Sequence, residues 1–222
     1  MSDRGPTTRH TLSEAASKQV LARYGVPFVE ERLAPTPEAA VSAAAEVGFP
    51  VAVKLNGDGI AHKTERGLVR LGLVDAGRVD AAARELFEAA TPDDGEVSVL
   101  VAPMLRATRE LIVGLDRDAQ FGMTLLLGVG GVLAEAIGDV AIRLVPIDRI
   151  DADEMIDDLS TSSLLGEFRG EPAVDREALR RVLVALSDAA VDNDQLVSAD
   201  VNPLLIVDGR PIAVDALVEV AS

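Results

Sequence analysis

Two kinds of connection alternate along this chain, and together they limit the folds open to it. In the first half, short apolar runs are separated by segments of helical period; toward the C-terminus they follow one another across tight turns. The run over residues 50–55 is preceded by a helix start at Thr36-Pro37-Glu38, where a capping hydroxyl, a proline suited to the first turn and an acid near the positive end of the helix dipole stand together. Gly48 ends that helix. An earlier helix, capped by Ser13, repeats Ala16, Val20, Leu21 and Tyr24 at helical spacing until Gly25 closes it. Strands are expected over 27–33, 50–55, 68–74 with Leu71 and Leu73 on its apolar side, 97–102, 110–115, 123–127, 132–137 and 140–145. Further helices are expected over 78–90, 151–159 and 176–191. The chain ends in a hairpin, 204–207 and 211–217, around the turn Asp208-Gly209. This mixture predicts an α/β (α+β) class with mixed or antiparallel sheets flanked by helices, not one doubly wound parallel sheet.

With 222 residues, 48% of them hydrophobic, the chain can bury a sizeable core, and with only 3% aromatic residues that core must be built from Ala, Val and Leu. Residues 1–12 read as a flexible tail and 13–222 as one domain in two lobes, with the turn Thr91-Pro92-Asp93-Asp94-Gly95 as the boundary. The formal net charge of −16 argues against nucleic-acid binding, which draws on Lys and Arg to neutralise phosphates. A phosphate-bearing ligand must then be met by a local basic pocket, for which Lys54, His62 and Lys63 are candidates. There is no cysteine, so disulfides, thiolate metal sites and thiol nucleophiles drop out together. The longest apolar stretch, 121–134, carries four glycines and falls short of the ~20 residues of a membrane span. A cytoplasmic protein is the expectation, since no secretory segment opens the chain.

The stretch VAVKLNGDGIAHKTERG, 51–67, opens as a strand and then gives way to glycine, acid and base. A lysine within an apolar strand loses hydration unless it meets an anion, so Lys54 suits a phosphate; a lone edge-strand lysine reaching for water is the plainer alternative. The glycines at 57, 59 and 67 do not have the spacing of a Walker loop or a dinucleotide fingerprint. They still permit backbone N–H groups to turn toward an anion, and His62 beside Lys63 is either an acid/base or nucleophile next to a fixed charge, or a surface hydrogen-bonding group. At the far end, pairing across Asp208-Gly209 brings Asn202 and Asp215 to the same end of a ribbon as two hard oxygen ligands suited to Mg2+. An Asp/Asn turn before Pro203 explains Asp200 and Asn202 equally well, but not the acid in the apolar run 212–217. Arg143, in another apolar run, asks for an anion or a buried acid.

Several blocks in order resemble one family: ASKQVLARYGVP (16–27), IAHKT (60–64), RELIVG (109–114), DAQFG (118–122), DVAIRL (139–144), RGEP (169–172) and DVNPL (200–204). The chain resembles the nucleotide-binding ATP-grasp subunit of NDP-forming acyl-CoA synthetases such as the ADP-forming acetate–CoA ligases and, more distantly, the succinyl-CoA synthetase β subunit. The resemblance implies an ATP-grasp fold with a small lobe over about 26–95 and a large lobe of 13–25 plus 96–222. It implies nucleotide contacts at Lys54, Lys63, Val101, Glu110 and Arg143, with Glu110 near the ribose, and Mg2+ on Asn202 and Asp215. It also implies that His62 accepts a phosphoryl group and that Asp200 orients or stabilises the phosphohistidine. Motion of the loop on its glycines would carry His62 between two sites. ATP or ADP is then the substrate, and a CoA-binding, ligase-type partner subunit is required, because this sequence offers no candidate for those functions. Two departures bear on nucleotide preference: Ala102-Pro103 where the family commonly has Gln-Glu, and Leu68 where it has a second glycine after Gly67. A self-contained ATP-grasp carboxylate ligase leaves the His62/Asp200 pair unexplained; a non-catalytic nucleotide-binding module is the third reading.

Overall fold

Helix starts are where the sequence speaks most plainly, and the computed structural model, which describes residues 9–60, 63, 66–131, 138–167 and 170–221, follows them closely. The Ser13 hydroxyl accepts from Ala16 N at the head of α1 (Glu14–Ala22), and Gly25, at φ 102°, donates back to Ala22 O. Thr36 caps α2 (Pro37–Val47), Asp75 caps α3 (Ala76–Glu88), and Asp148 and Asp175 cap α4 (Arg149–Asp158) and α5 (Arg176–Asp192). Each cap satisfies backbone donors that the first helical turn leaves open.

Contacts divide the chain into two units, each described by itself. The smaller one comprises 11–16 and 29–106. Its sheet runs β2 (Arg32–Ala34), β5 (Ser98–Pro103), β3 (Val51–Asn56) and β4 (Val69–Leu73), all antiparallel. Small side chains bring α2 and α3 close to it: Ala40, Ala44, Val79, Ala83 and Leu86 pack on Val51, Val53, Leu55, Val99 and Val101. Because β5 lies between β2 and β3, the expected lobe boundary at residue 95 is corrected: 91–95 is a turn inside this unit, and the division falls between Arg106 and Ala107. The expected alternation in β4 also fails. Gly72 at φ 68° and a register shift against β3 break the pleat, so Leu71 is exposed while Leu73 packs on the core.

The larger unit comprises 1–10, 17–28 and 107–222. Its described sheet runs β1 (Arg9–Thr11), β11 (Leu217–Ala221), β9 (Leu196–Val207), β6 (Glu110–Asp118), β7 (Gly122–Val129) and β8 (Val140–Leu144), with β10 (Arg210–Ala213) also on β9. The tail expected over 1–12 is thus corrected at its end, where Arg9–Thr11 forms an edge strand. On one face, Leu111, Val113, Leu115, Leu125 and Leu127 are buried, and α5 packs against β6, β7 and β10. The strand expected at 27–33 shrinks to β2 and a single bridge at Phe28; the one expected at 132–137 lies outside the described residues.

Candidate active site

In the smaller unit the described residues of the loop that follows β3 are held by close packing and by ion pairs. A Cβ on Gly59 would lie 2.0 Å from Asp93 O and one on Gly57 2.5 Å from Asp94 O, so both glycines let the loop backbone lie against the 91–95 turn. At these two positions glycine serves close approach. Arg66 grips buried Asp94 through two bonds of 2.7 and 2.9 Å, and Thr91 donates to the same carboxylate. These donors, Arg66 first, hold the Asp94 carboxyl down at about 2. Leu68 N donates to Lys63 O at 2.8 Å, closing the base of the loop.

Lys54 is buried, not an edge lysine reaching for water, and it donates to Glu14 of α1 at 2.8 Å. Lys63 reaches the other oxygen of the same carboxylate at 2.5 Å. Sequence reasoning missed Glu14, which reads there only as a first-turn acid beside its cap. His62, the expected phosphoryl acceptor, lies outside the described residues. Val101 is a core residue with no exposure, so its side chain is not available to a ligand and the expected contact is corrected to that extent.

In the larger unit the sheet's second face carries the acids. Asp200 lies within β9, not before a strand as expected, because β9 runs twelve residues. It pairs with Gly114 on one side and Leu217 on the other. Ala213 faces Leu204 and Leu217 faces Asp200, a single register on both sides of the gap between β10 and β11. In that register Asp215 falls opposite Asn202, as expected, although in the gap instead of on a strand. Val214 N donates to Pro203 O at 3.1 Å and holds the gap against β9.

Asp200 borders a cavity of about 470 Å³ with Gly114, Asp116, Thr124, Leu126 and Ile142. Its carboxylate opens to solvent along this concave face but has protein on its flanks. Loss of hydration there, with the charge of Asp215 second, raises its pKa above the ordinary carboxylate value. The charges of Asp200 and Asp215 repel one another, and Asn202 and Asp215 are hard oxygen donors of the kind that could contribute to a dication site. Among the described residues no group of three or more His, Cys, Asp or Glu side chains is arranged to hold a metal. The remaining ligands would come from water and phosphate.

Glu110 begins β6 and is half-buried beside a smaller cavity of about 210 Å³, where Gly130 N donates to its carbonyl at 2.7 Å. A side chain at Gly130 would crowd the Glu110 backbone. Its neighbour Arg109 points inward, donating to the carbonyls of Leu164, Gly166 and Pro172 and pairing with Glu171. Arg143 is corrected: it alternates away from Ile142 and the cavity to pair with Asp158 at 2.5 Å and Glu154 at 3.7 Å on α4. The acid it demanded is there, so no ligand anion is needed.

Each unit is built on an antiparallel sheet flanked by helices. Residues 5–220 match the ATP-grasp domain family, and the chain belongs to it. Within that family it is homologous to subunits of ADP-forming acyl-CoA ligases: it is 37% identical over 202 residues to the acetate–CoA ligase [ADP-forming] II subunit beta of Pyrococcus furiosus, covering 89% of this chain and 86% of that one. It is 32% identical to the 4-hydroxybutyrate–CoA ligase [ADP-forming] of Nitrosopumilus maritimus, where 90% of this chain corresponds to 29% of a longer protein. Among solved structures, the dinucleotide-forming acetyl-coenzyme A synthetase 1 of Ca. Korarchaeum cryptofilum superposes with a TM-score of 0.79 at 35% identity, covering 93% and 91% of the two chains. That structure holds coenzyme A and Mg-AMPPCP, with its phosphohistidine segment pointing towards the nucleotide binding site. Among the described residues no helix is long and apolar enough to cross a membrane.

Proposed function

We propose that this chain is the nucleotide-binding, phosphotransfer subunit of an ADP-forming acyl-CoA synthetase and works with a CoA-binding partner subunit. The observation that carries the reading is the single register that sets Asn202 across from Asp215 with Asp200 two residues away on β9. The family relationship and the phosphohistidine segment of the Korarchaeum enzyme support it.

Asn202 and Asp215 would hold Mg2+, which supplies charge neutralisation to the nucleotide phosphates when bound. Lys54 and Lys63 direct positive charge at the transferring phosphoryl group, and Glu110 holds the nucleoside end. A neutral His62 nitrogen attacks the γ-phosphorus of ATP: the N–P bond forms as the bond to the β-phosphate oxygen breaks, and ADP leaves. The imidazole N–H opposite the new bond then faces a carboxylate, the role given to Asp200, which stabilises the ring cation. At the partner's site the phosphoryl group passes to a carboxylate, and CoA thiolate displaces phosphate from the resulting acyl phosphate. The sum is acid + CoA + ATP ⇌ acyl-CoA + ADP + phosphate. The separate β subunit of Pyrococcus and the longer Nitrosopumilus ligase support the need for further polypeptide.

The test is incubation of the purified chain with γ-labelled ATP and Mg2+. Acid-labile, base-stable protein phosphate that disappears in His62→Ala, while Mg-ATP binding persists, is the expected result. Undiminished labelling in that variant overturns the assignment of the acceptor.

A further inference from the structure

The Glu14 carboxylate has no solvent exposure, and its two oxygens are divided between two buried ammonium groups: Oε1 is 2.8 Å from Lys54 Nζ and Oε2 is 2.5 Å from Lys63 Nζ. The lysines come from different elements, one from β3 and one from the loop beyond it. A carboxylate's oxygens are separated by a fixed distance, so one side chain sets the spacing of both cations. It also offsets a repulsion that low local dielectric would make severe.

Glu14 is itself held. The next backbone N–H, that of Ala15, donates to the Asn56 side-chain oxygen at 3.0 Å in a buried contact, and Asn56 reaches Ser98 of β5. The head of α1 is therefore pinned to β3 two residues beyond Lys54. Lys54 donates to Glu14 Oε1, while Lys63 meets Oε2 as a close ion pair, so the single carboxylate serves both cations. On the other side, Lys63 O closes the loop on Leu68, so the pair with Glu14 ties down the residue next to His62 in sequence.

We propose that Glu14 is a positioning residue for phosphoryl transfer: through Lys54 and Lys63 it sets the spacing of the two phosphate-directed charges and anchors the loop that carries His62. This rests on the function proposed above, but part of its test does not.

In Glu14→Gln the shape and one acceptor remain while the charge is lost. Hydrogen exchange of the nucleotide-free protein should show the Leu68 amide exchanging at least about tenfold faster, with the protection of α3 and β5 unchanged. With Mg-ATP, phosphoprotein formation should slow at least about tenfold while the Kd for Mg-ATP stays within about threefold or tightens, since the cluster gains positive charge. A residue that only supports the fold would lower Tm without separating transfer from binding. Unchanged Leu68 exchange in folded Glu14→Gln overturns the proposal, and so does equal loss of binding and transfer. If that variant fails to fold, Lys63→Met should raise Leu68 exchange on its own; protection retained there also overturns it. An unlabelled wild-type protein whose loop still loosens in Glu14→Gln would refute the phosphotransfer function and leave the anchor standing.

Discussion

The Arg66–Asp94 pair gives the most direct reading of how firmly the loop base is fixed. Asp94→Asn keeps the shape and one acceptor but removes the charge that Arg66 grips. The Asp94 carboxyl is held at about 2 against an ordinary 3.8, and at about 1.36 kcal/mol per unit this corresponds to about 2.4 kcal/mol at neutral pH. The Asp94 side chain is closed off while the Arg66 side chain is 34% exposed, so solvent screens part of the attraction and about 1–2 kcal/mol is expected. The folded pKa lies below the unfolded one, so this stability is complete above about pH 4 and is lost as pH falls toward 2. The chain has no tryptophan and one tyrosine, so urea unfolding is best followed by far-UV circular dichroism. At pH 7 the variant should unfold at lower urea with the same slope, and the gap from wild type should close between pH 4 and pH 2. A gap of constant size across that range would refute the charge-based account, and no gap at pH 7 would show that Arg66 contributes nothing to the loop.

Gly59→Ala forces a Cβ to 2.0 Å from Asp93 O, so it should cost about 1–3 kcal/mol in the same urea assay. Gly67→Ala, which meets nothing within 4 Å but sits at φ 67°, should cost about 1 kcal/mol. If Gly59→Ala is neutral, the packing explanation of that glycine is wrong. Asp215→Asn removes the second cause of the raised Asp200 pKa and should lower it, as read from the carboxyl carbon shift in a pH titration by NMR. It should also weaken Mg-ATP binding by calorimetry; an unmoved Asp200 titration would place the two carboxylates out of electrostatic reach.

Much of the architecture was legible because the signals were local. Ser13, Thr36 and Gly25 act on atoms within a few residues, and Asp208-Gly209 takes the two positive φ values that a tight hairpin requires. The register that carries Asp215 toward Asn202 was legible for the same reason, since hairpin register propagates from its turn. What was not legible depends on contacts between distant segments. Glu14 and Lys54 are 40 residues apart, and nothing near either one announces the other. Arg143 showed its need for an acid but not that the acid lay on α4, behind the sheet. Gly57 and Gly59 looked like freedom because a sequence does not reveal the Asp93–Asp94 backbone pressed against them. The boundary at 95 failed because a turn marks a change of direction, and β5 turns back into the same sheet.

The common register that β10 and the start of β11 keep on β9 makes chain length between residues 202 and 215 a mechanical constraint on the site. Substitutions there exchange one side chain for another, but a single inserted or deleted residue near Asp208-Gly209 would shift Asp215 by one place along β9. Because side chains alternate with a period of two, that shift would carry its carboxylate off Asn202 and toward the sheet's opposite face. The hairpin thus behaves as a ruler, in which the number of residues, more than their identity, sets where Asp215 falls along β9.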